Sequence, residues 1–291
     1  MADWMKQGAV YGRYIDYMPE IRSLIDRIQE DKELTCFGEM LPSSAELRQL
    51  EKEIREILSD GHQVSLMMVN LAARSGVAFR STVPMCAQST VKAVYIGAVL
   101  EAYPQAFAEH QQKIRDAIVL SSNEAYLCLR DIYGKEPIRA WCRRTGVDEH
   151  FADAPFPRVY HARDMLKLWT QLYCFLNGGT DAAGAGVYYT DSALSAARER
   201  LGDRCPLQTK AGWENGIGDD SVDYEYTAIP ACYLDGDPLN DECATNDSGI
   251  IYSDHGPYLF VIYSDYPWPW SGTNRLYGLT DALYAIRFEK G

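Results

Sequence analysis

The chain has 291 residues, a formal net charge of −13 at neutral pH and a hydrophobic share of 47%. That length builds one large domain or two small ones around a substantial core. The acidic balance argues against nucleic acid, which calls for a basic face, and makes each lysine in a pocket informative, since an anionic substrate would need local positive charge.

Residues 1–42 read as an N-terminal helical extension, with Trp4, Tyr11, Tyr14 and Tyr17 ahead of an amphipathic stretch carrying Ile21, Leu24, Ile25 and Ile28. The start Met1-Ala2-Asp3-Trp4 lacks the basic and apolar regions of a secretory signal, and no apolar run approaches the ~20 residues of a membrane span. A helix is expected from the serine caps at Ser43 and Ser44 to Leu58, through Leu47, Leu50, Ile54 and Ile57, ended by Asp60-Gly61. Residues 63–72 and 76–82 are partly alternating apolar runs around a short polar link, the pattern of a β-hairpin.

Next comes the segment 86–100, an apolar helical run with Ser89 and Lys92 at its head. Helical spacing places residues three apart on one face, so the Lys92 amine can reach the Ser89 hydroxyl. A lysine among apolar neighbours loses solvation as a cation and becomes a proton acceptor, while helix N-terminal amides favour an alkoxide or oxyanion. We therefore read Ser89 as a nucleophile and Lys92 as its base. Ser-x-x-Lys alone arises by chance about once in a chain of this size and also describes a capped helix with a snorkelling lysine. A polar helix is expected over 105–115, followed by Ser121-x-Asn123 and a helix over 124–133 closed by Gly134. Residues 135–160 read as irregular, with Pro137, Pro155, Pro157 and a cluster of Asp148, Glu149 and Asp153. Helices are expected over 162–176 and 190–201, then a strand carrying Lys210-Ala211-Gly212-Trp213. Residues 214–247 read as an inserted acidic loop, residues 248–254 and 258–264 as a second hairpin, and residues 276–288 as a closing helix. The cysteines Cys36, Cys86, Cys128, Cys142, Cys174, Cys205, Cys232 and Cys243 form no Cys-x-x-Cys pair, so spacing indicates no zinc site. Cys232 and Cys243 can bridge in an oxidising compartment, and sequence does not fix that connectivity.

Helix, hairpin and nucleophile helix, then Ser121-x-Asn123, then Lys210-Ala211-Gly212 before a closing hairpin and helix, resembles the penicillin-recognising serine enzymes, the class A β-lactamases and DD-peptidases. The resemblance covers about residues 44–290 and implies an α/β (α+β) domain at 43–291, with a five-stranded antiparallel sheet flanked by helices on both faces. It implies serine acyl transfer: an acyl-enzyme on Ser89, Lys92 as base, and Ser121 relaying a proton to the leaving nitrogen. Asn123 and Lys210 would hold charge and position, and the Ser89 and Trp213 amides would form the oxyanion hole. Ala211 and Gly212 would line the substrate, with Ala211 in place of the family's usual hydroxyl. No Glu-Pro-x-x-Asn loop is present, so the glutamate that activates deacylating water in class A β-lactamases is missing. Asp148, Glu149, Asp153 and His161 are substitutes by composition only. The implied partner is a small-molecule or peptide substrate, a β-lactam or a cell-wall-like peptide, with no metal and no cofactor. The alternative of the same fold is a penicillin-binding or sensor module that does not turn over. An exported or cell-envelope protein of a bacterium is implied, with the cytoplasm as the other possibility.

Overall fold

The computed structural model describes residues 16–29, 31–156, 160–178, 184–214, 244–266 and 275–289. In chain order the first elements are α1 (Met18–Asp26), β1 (Thr35–Phe37), α2 (Ser44–Ser59), β2 (Val64–Asn70) and β3 (Ser75–Phe79). A 3-10 turn (Gln88–Thr90) leads into α3 (Val91–Ala102), then α4 (Ala106–Glu109), α5 (Gln111–Val119), α6 (Asn123–Tyr133) and α7 (Glu136–Thr145). The remainder comprises a second 3-10 turn (Glu149–Ala152), α8 (Ala162–Leu176), α9 (Gly186–Tyr189), α10 (Ala196–Leu201), β4 (Leu207–Glu214), β5 (Ala244–Ser253), β6 (Gly256–Ser264) and α11 (Leu276–Ala285).

The strands form one antiparallel sheet in the order β1-β3-β2-β6-β5-β4. It has six strands rather than the expected five, because Cys36 in the N-terminal extension pairs with Val77 of β3. Every residue of β2 is buried, which requires cover on both faces. Alternation sorts them: Met67 and Val69 join the core under α1, α3 and α8, whereas Leu66 and Met68 join the core under α2, α10 and α11.

Local chemistry explains the helix limits. Ser43 accepts from the Glu46 amide at 3.3 Å while Glu46 Oε2 accepts from the Ser43 amide at 2.8 Å, a reciprocal cap that starts α2. Gly134 and Gly146 end α6 and α7 at φ of +65° and +72°, where a Cβ would be strained. Helix α3 is buried on all sides from Val91 to Leu100, and Lys92 is the one charged residue in that run. Its Gly97 lies so close to α7 and α8 that an added Cβ would meet Leu172 at 2.5 Å and Trp141 at 2.8 Å.

Several expected boundaries are corrected. The stretch expected to be irregular from residue 135 begins instead with α7, whose Pro137 sits in its first turn, where a missing N–H leaves no bond unmade. The stretch 105–115 is divided into α4 and α5 at His110. The helix expected over 190–201 is reduced to α10, which starts where the Ser195 hydroxyl accepts from the Arg198 amide at 3.1 Å. Strand β4 includes Glu214 and strand β5 starts at Ala244, so both ends of the supposed loop 214–247 are strand. Residues 215–243, with Cys232 and Cys243, lie outside the described residues. Among the described residues no helix is long and apolar enough to cross a membrane.

Candidate active site

Ser89 lies in the 3-10 turn ahead of α3 and is partly exposed. The preceding residue, Gln88, is left-handed at φ +46°, a conformation that a non-glycine residue holds only when its surroundings enforce it. Three anchors do so. Met85 and Tyr160 exchange backbone bonds of 3.0 and 2.7 Å, the Thr90 hydroxyl donates to the Ala87 carbonyl at 2.6 Å, and Asn246 Nδ2 donates to the Cys86 carbonyl at 2.7 Å.

Lys92 follows on the first turn of α3 and is fully buried. Burial first, and repulsion from Lys210 second, hold its amine well below the ordinary lysine range. Its Nζ lies 2.6 Å from Asn123 Oδ1 and 3.3 Å from Ser121 Oγ, and also bonds the Ser121 carbonyl. Ser121 occupies the break between α5 and α6 with a left-handed φ of +59°, which turns its carbonyl and hydroxyl toward the lysines. Lys92 Nζ also lies over the rings of Tyr126 and Phe156, at 5.9 and 5.6 Å from their centroids. Packed against the buried amine, these rings exclude water from it. Ser89 stands in the 3-10 turn and Lys92 on the first turn of α3, and no hydrogen bond joins their side chains in this structure.

Strand β4 brings in the third group. Lys210 Nζ donates to Ser121 Oγ at 3.0 Å and to the Ala211 carbonyl at 2.6 Å. Burial lowers its pKa to about 7, and Asp247 works in the opposite direction. The Ser121 hydroxyl is thus in reach of both lysines. The Ala211 amide donates to Ser192 Oγ at 3.4 Å rather than into the β5 ladder, so strand alternation turns the Trp213 N–H and C=O to that same outer edge. Ala211 itself is only 1% exposed.

Gly212 faces the nucleophile turn: a Cβ there would lie 2.9 Å from the Ser89 amide nitrogen and 3.0 Å from the Ala87 carbonyl oxygen. Those are rigid backbone atoms, so Gly212→Val is expected to displace the Ser89 turn and slow acylation about a hundredfold. Labelling kinetics with a fluorescent penicillin measure this, and unchanged rates would remove the close approach from the account.

The structure therefore brings together Ser89, Lys92, Ser121, Asn123, Lys210 and Gly212, with Ala211 and Trp213 along the adjoining strand edge. It does not bring in Asp148, Glu149, Asp153 or His161. Asp148 caps a 3-10 turn through the His150 amide at 2.9 Å, and Glu149 pairs with Arg143 at 2.7 Å. Asp153 bonds His150, Lys135 and Arg139, which hold its carboxyl below the usual carboxylate range, and His161 bonds Asp164 at 3.1 Å. Sequence reasoning missed Tyr126, Phe156, Asn246, Asp247 and Ser192. Only Tyr126 carried a signal, lying three residues after Asn123 on one helix face. Among the described residues no group of three or more His, Cys, Asp or Glu side chains is placed to hold a metal.

Residues 108–285, more than half of the chain, match the model of the β-lactamase enzyme family. That span contains Ser121, Asn123 and the Lys210 strand; Ser89 and Lys92 lie upstream of it. The fold is similar to that of a β-lactamase from Streptosporangium roseum, at 16% identity and a TM-score of 0.56 over 82% of this chain and 97% of that one. A β-lactamase from Chitinophaga pinensis is similar at 13% identity and a TM-score of 0.59, over 81% and 97% of the two chains. The β-lactamase from Streptomyces albus G gives 16% identity and 0.55, over 82% and 97%. No curated protein matches the chain in sequence.

Proposed function

Because the chain belongs to the β-lactamase enzyme family, we propose that it is a serine hydrolase that forms an acyl-enzyme on Ser89 with an amide or β-lactam substrate. Lys92, short of solvent and repelled by Lys210, takes the Ser89 proton as Oγ bonds to the substrate carbonyl carbon. The carbonyl oxygen becomes an oxyanion, which accepts hydrogen bonds from the Ser89 and Trp213 amides. As the intermediate collapses, the carbon–nitrogen bond breaks. The proton carried by Lys92 passes through the Ser121 hydroxyl to the leaving nitrogen. Asn123 fixes Lys92, and Lys210 supplies positive charge beside the relay. The observation that carries this reading is the Ser121 hydroxyl lying 3.3 Å from the Lys92 amine and 3.0 Å from the Lys210 amine.

A second reading, a module that is acylated without turning over, is favoured by one feature of the site. Hydrolysis of the acyl-enzyme needs a base beside a water molecule, yet Lys92 has the Tyr126 and Phe156 rings packed against it. Among the described residues no carboxylate bonds to Lys92. Incubation with a chromogenic cephalosporin, followed by intact mass, separates the two. Rapid colour without a lasting adduct supports hydrolysis, and one persistent adduct supports slow release or a sensor. Neither colour nor adduct would overturn β-lactams as ligands.

A further inference from the structure

We propose that Asn246 is a positioning residue for acylation, holding the turn that presents Ser89. The proposal rests on the reading of Ser89 as the nucleophile and adds a residue to it. Asn246 is 2% exposed and lies on β5 directly opposite Gly212, so both face the Ser89 turn. The ladder between β5 and β6 ends at the pair Asp247 and Ile262. Beyond that point the strands part, and the Asn246 side chain takes over: Oδ1 accepts from the Ser264 amide at 3.0 Å while Nδ2 donates to the Cys86 carbonyl at 2.7 Å. An N–H on one side and a carbonyl on the other fix which way the amide points. The side chain thus ties an interior strand of the sheet to the chain three residues before the nucleophile and two before the left-handed Gln88.

The geometry assigns two jobs to one side chain. Its oxygen completes the sheet, which any good acceptor could do. Its nitrogen pins the Cys86 carbonyl, so the Ala87-Gln88 turn cannot relax and the Ser89 amide stays against Gly212. A shift of the nucleophile by about 1 Å is enough to cost on the order of a hundredfold in rate.

Asn246→Asp tests this because it keeps the acceptor and loses the donor. With a fluorescent penicillin, the maximal acylation rate is expected to fall about a hundredfold at neutral pH, with little change in the concentration giving half-saturation. A carboxylate cannot donate to Cys86, whereas a carboxylic acid can, so the variant's rate relative to the unaltered protein is expected to recover on acidification. Asn246→Ala, which removes the donor without burying a charge, should be slowed similarly and show no such recovery. Ser264→Ala removes the bond of its hydroxyl to the Thr245 carbonyl, 2.6 Å, at the same end of the ladder without touching Cys86. It should acylate normally. Unaltered acylation in Asn246→Asp or Asn246→Ala, or equal slowing in Ser264→Ala, overturns the proposal. If the unaltered protein carries its label at a residue other than Ser89, the reading of the nucleophile fails and this inference fails with it. If Ser89 is labelled and the Asn246 variants keep their rate, only this inference fails.

Discussion

Ser89→Ala is expected to lower labelling by a fluorescent penicillin or a fluorophosphonate at least about 10⁴-fold, the scale on which loss of a catalytic nucleophile is felt. The change removes one oxygen from a partly exposed turn residue that makes no hydrogen bond to Lys92, so thermal stability should shift by no more than about 1 kcal/mol. Gel fluorescence alongside a melting curve measures both. Persistent labelling in a folded Ser89→Ala protein would move the nucleophile elsewhere.

Lys92→Met is expected to slow acylation about 10²- to 10⁴-fold, the usual contribution of a positioned general base. Methionine keeps an unbranched apolar stem in the buried slot and removes only the amine. The pH dependence gives the sharper reading. Lys92 is held below the ordinary lysine range, so its neutral, proton-accepting form appears as pH rises through that depressed value. Acylation by the unaltered protein should climb over that interval and level off below the pH at which an ordinary lysine deprotonates. The Lys92→Met protein should give no such climb. Stability moves the other way. Below about 10.4 the unfolded chain carries a proton on Lys92 that the folded chain resists. Burial of this amine therefore costs stability at neutral pH, and the cost shrinks as pH rises. Lys92→Met should accordingly be no less stable than the unaltered protein at neutral pH while acylating far more slowly. A large loss of stability with an unchanged pH profile would make Lys92 a packing residue.

The parts of the fold that were legible in the sequence are those whose signal is local. The Ser43 to Glu46 cap, the stripe Leu50, Ile54 and Ile57, and the two hairpins each declare themselves within one short stretch of chain. Ser89 with Lys92, Ser121 with Asn123, and Lys210 with Gly212 were visible as short spacings, although only the folded chain shows that they meet. The strand start at Ala244 was hidden because Asn246 and Asp247 look like loop composition. They are buried because each polar atom has its own partner: Asp247 accepts from the Ser195 hydroxyl at 2.8 Å, the Ala197 amide at 2.9 Å and the Ser248 amide at 2.9 Å. Composition averages over a window and cannot register such pairings. Strand β1, three residues long, is too short for any period to show, and Phe156 belongs to a connection whose position against Lys92 depends on tertiary packing alone.

Lys210 and Asp247 show why the electrostatics of the pocket was not readable either. Two buried lysines and one buried carboxylate come from α3, β4 and β5, far apart in the chain. Burial lowers Lys210 to about 7 and raises Asp247 to about 6, each partly offset by the other. The resulting charge belongs to the assembled site and to no one motif.

The most direct test is to incubate the unaltered protein with a penicillin, digest it, and locate the added mass by peptide sequencing. The account predicts one acyl group on the peptide that spans the nucleophile turn, attached to the Ser89 oxygen. Its appearance should slow as pH falls through the depressed Lys92 range. An acyl group on any other side chain, or modification at Ser89 that persists undiminished in Lys92→Met, would contradict it.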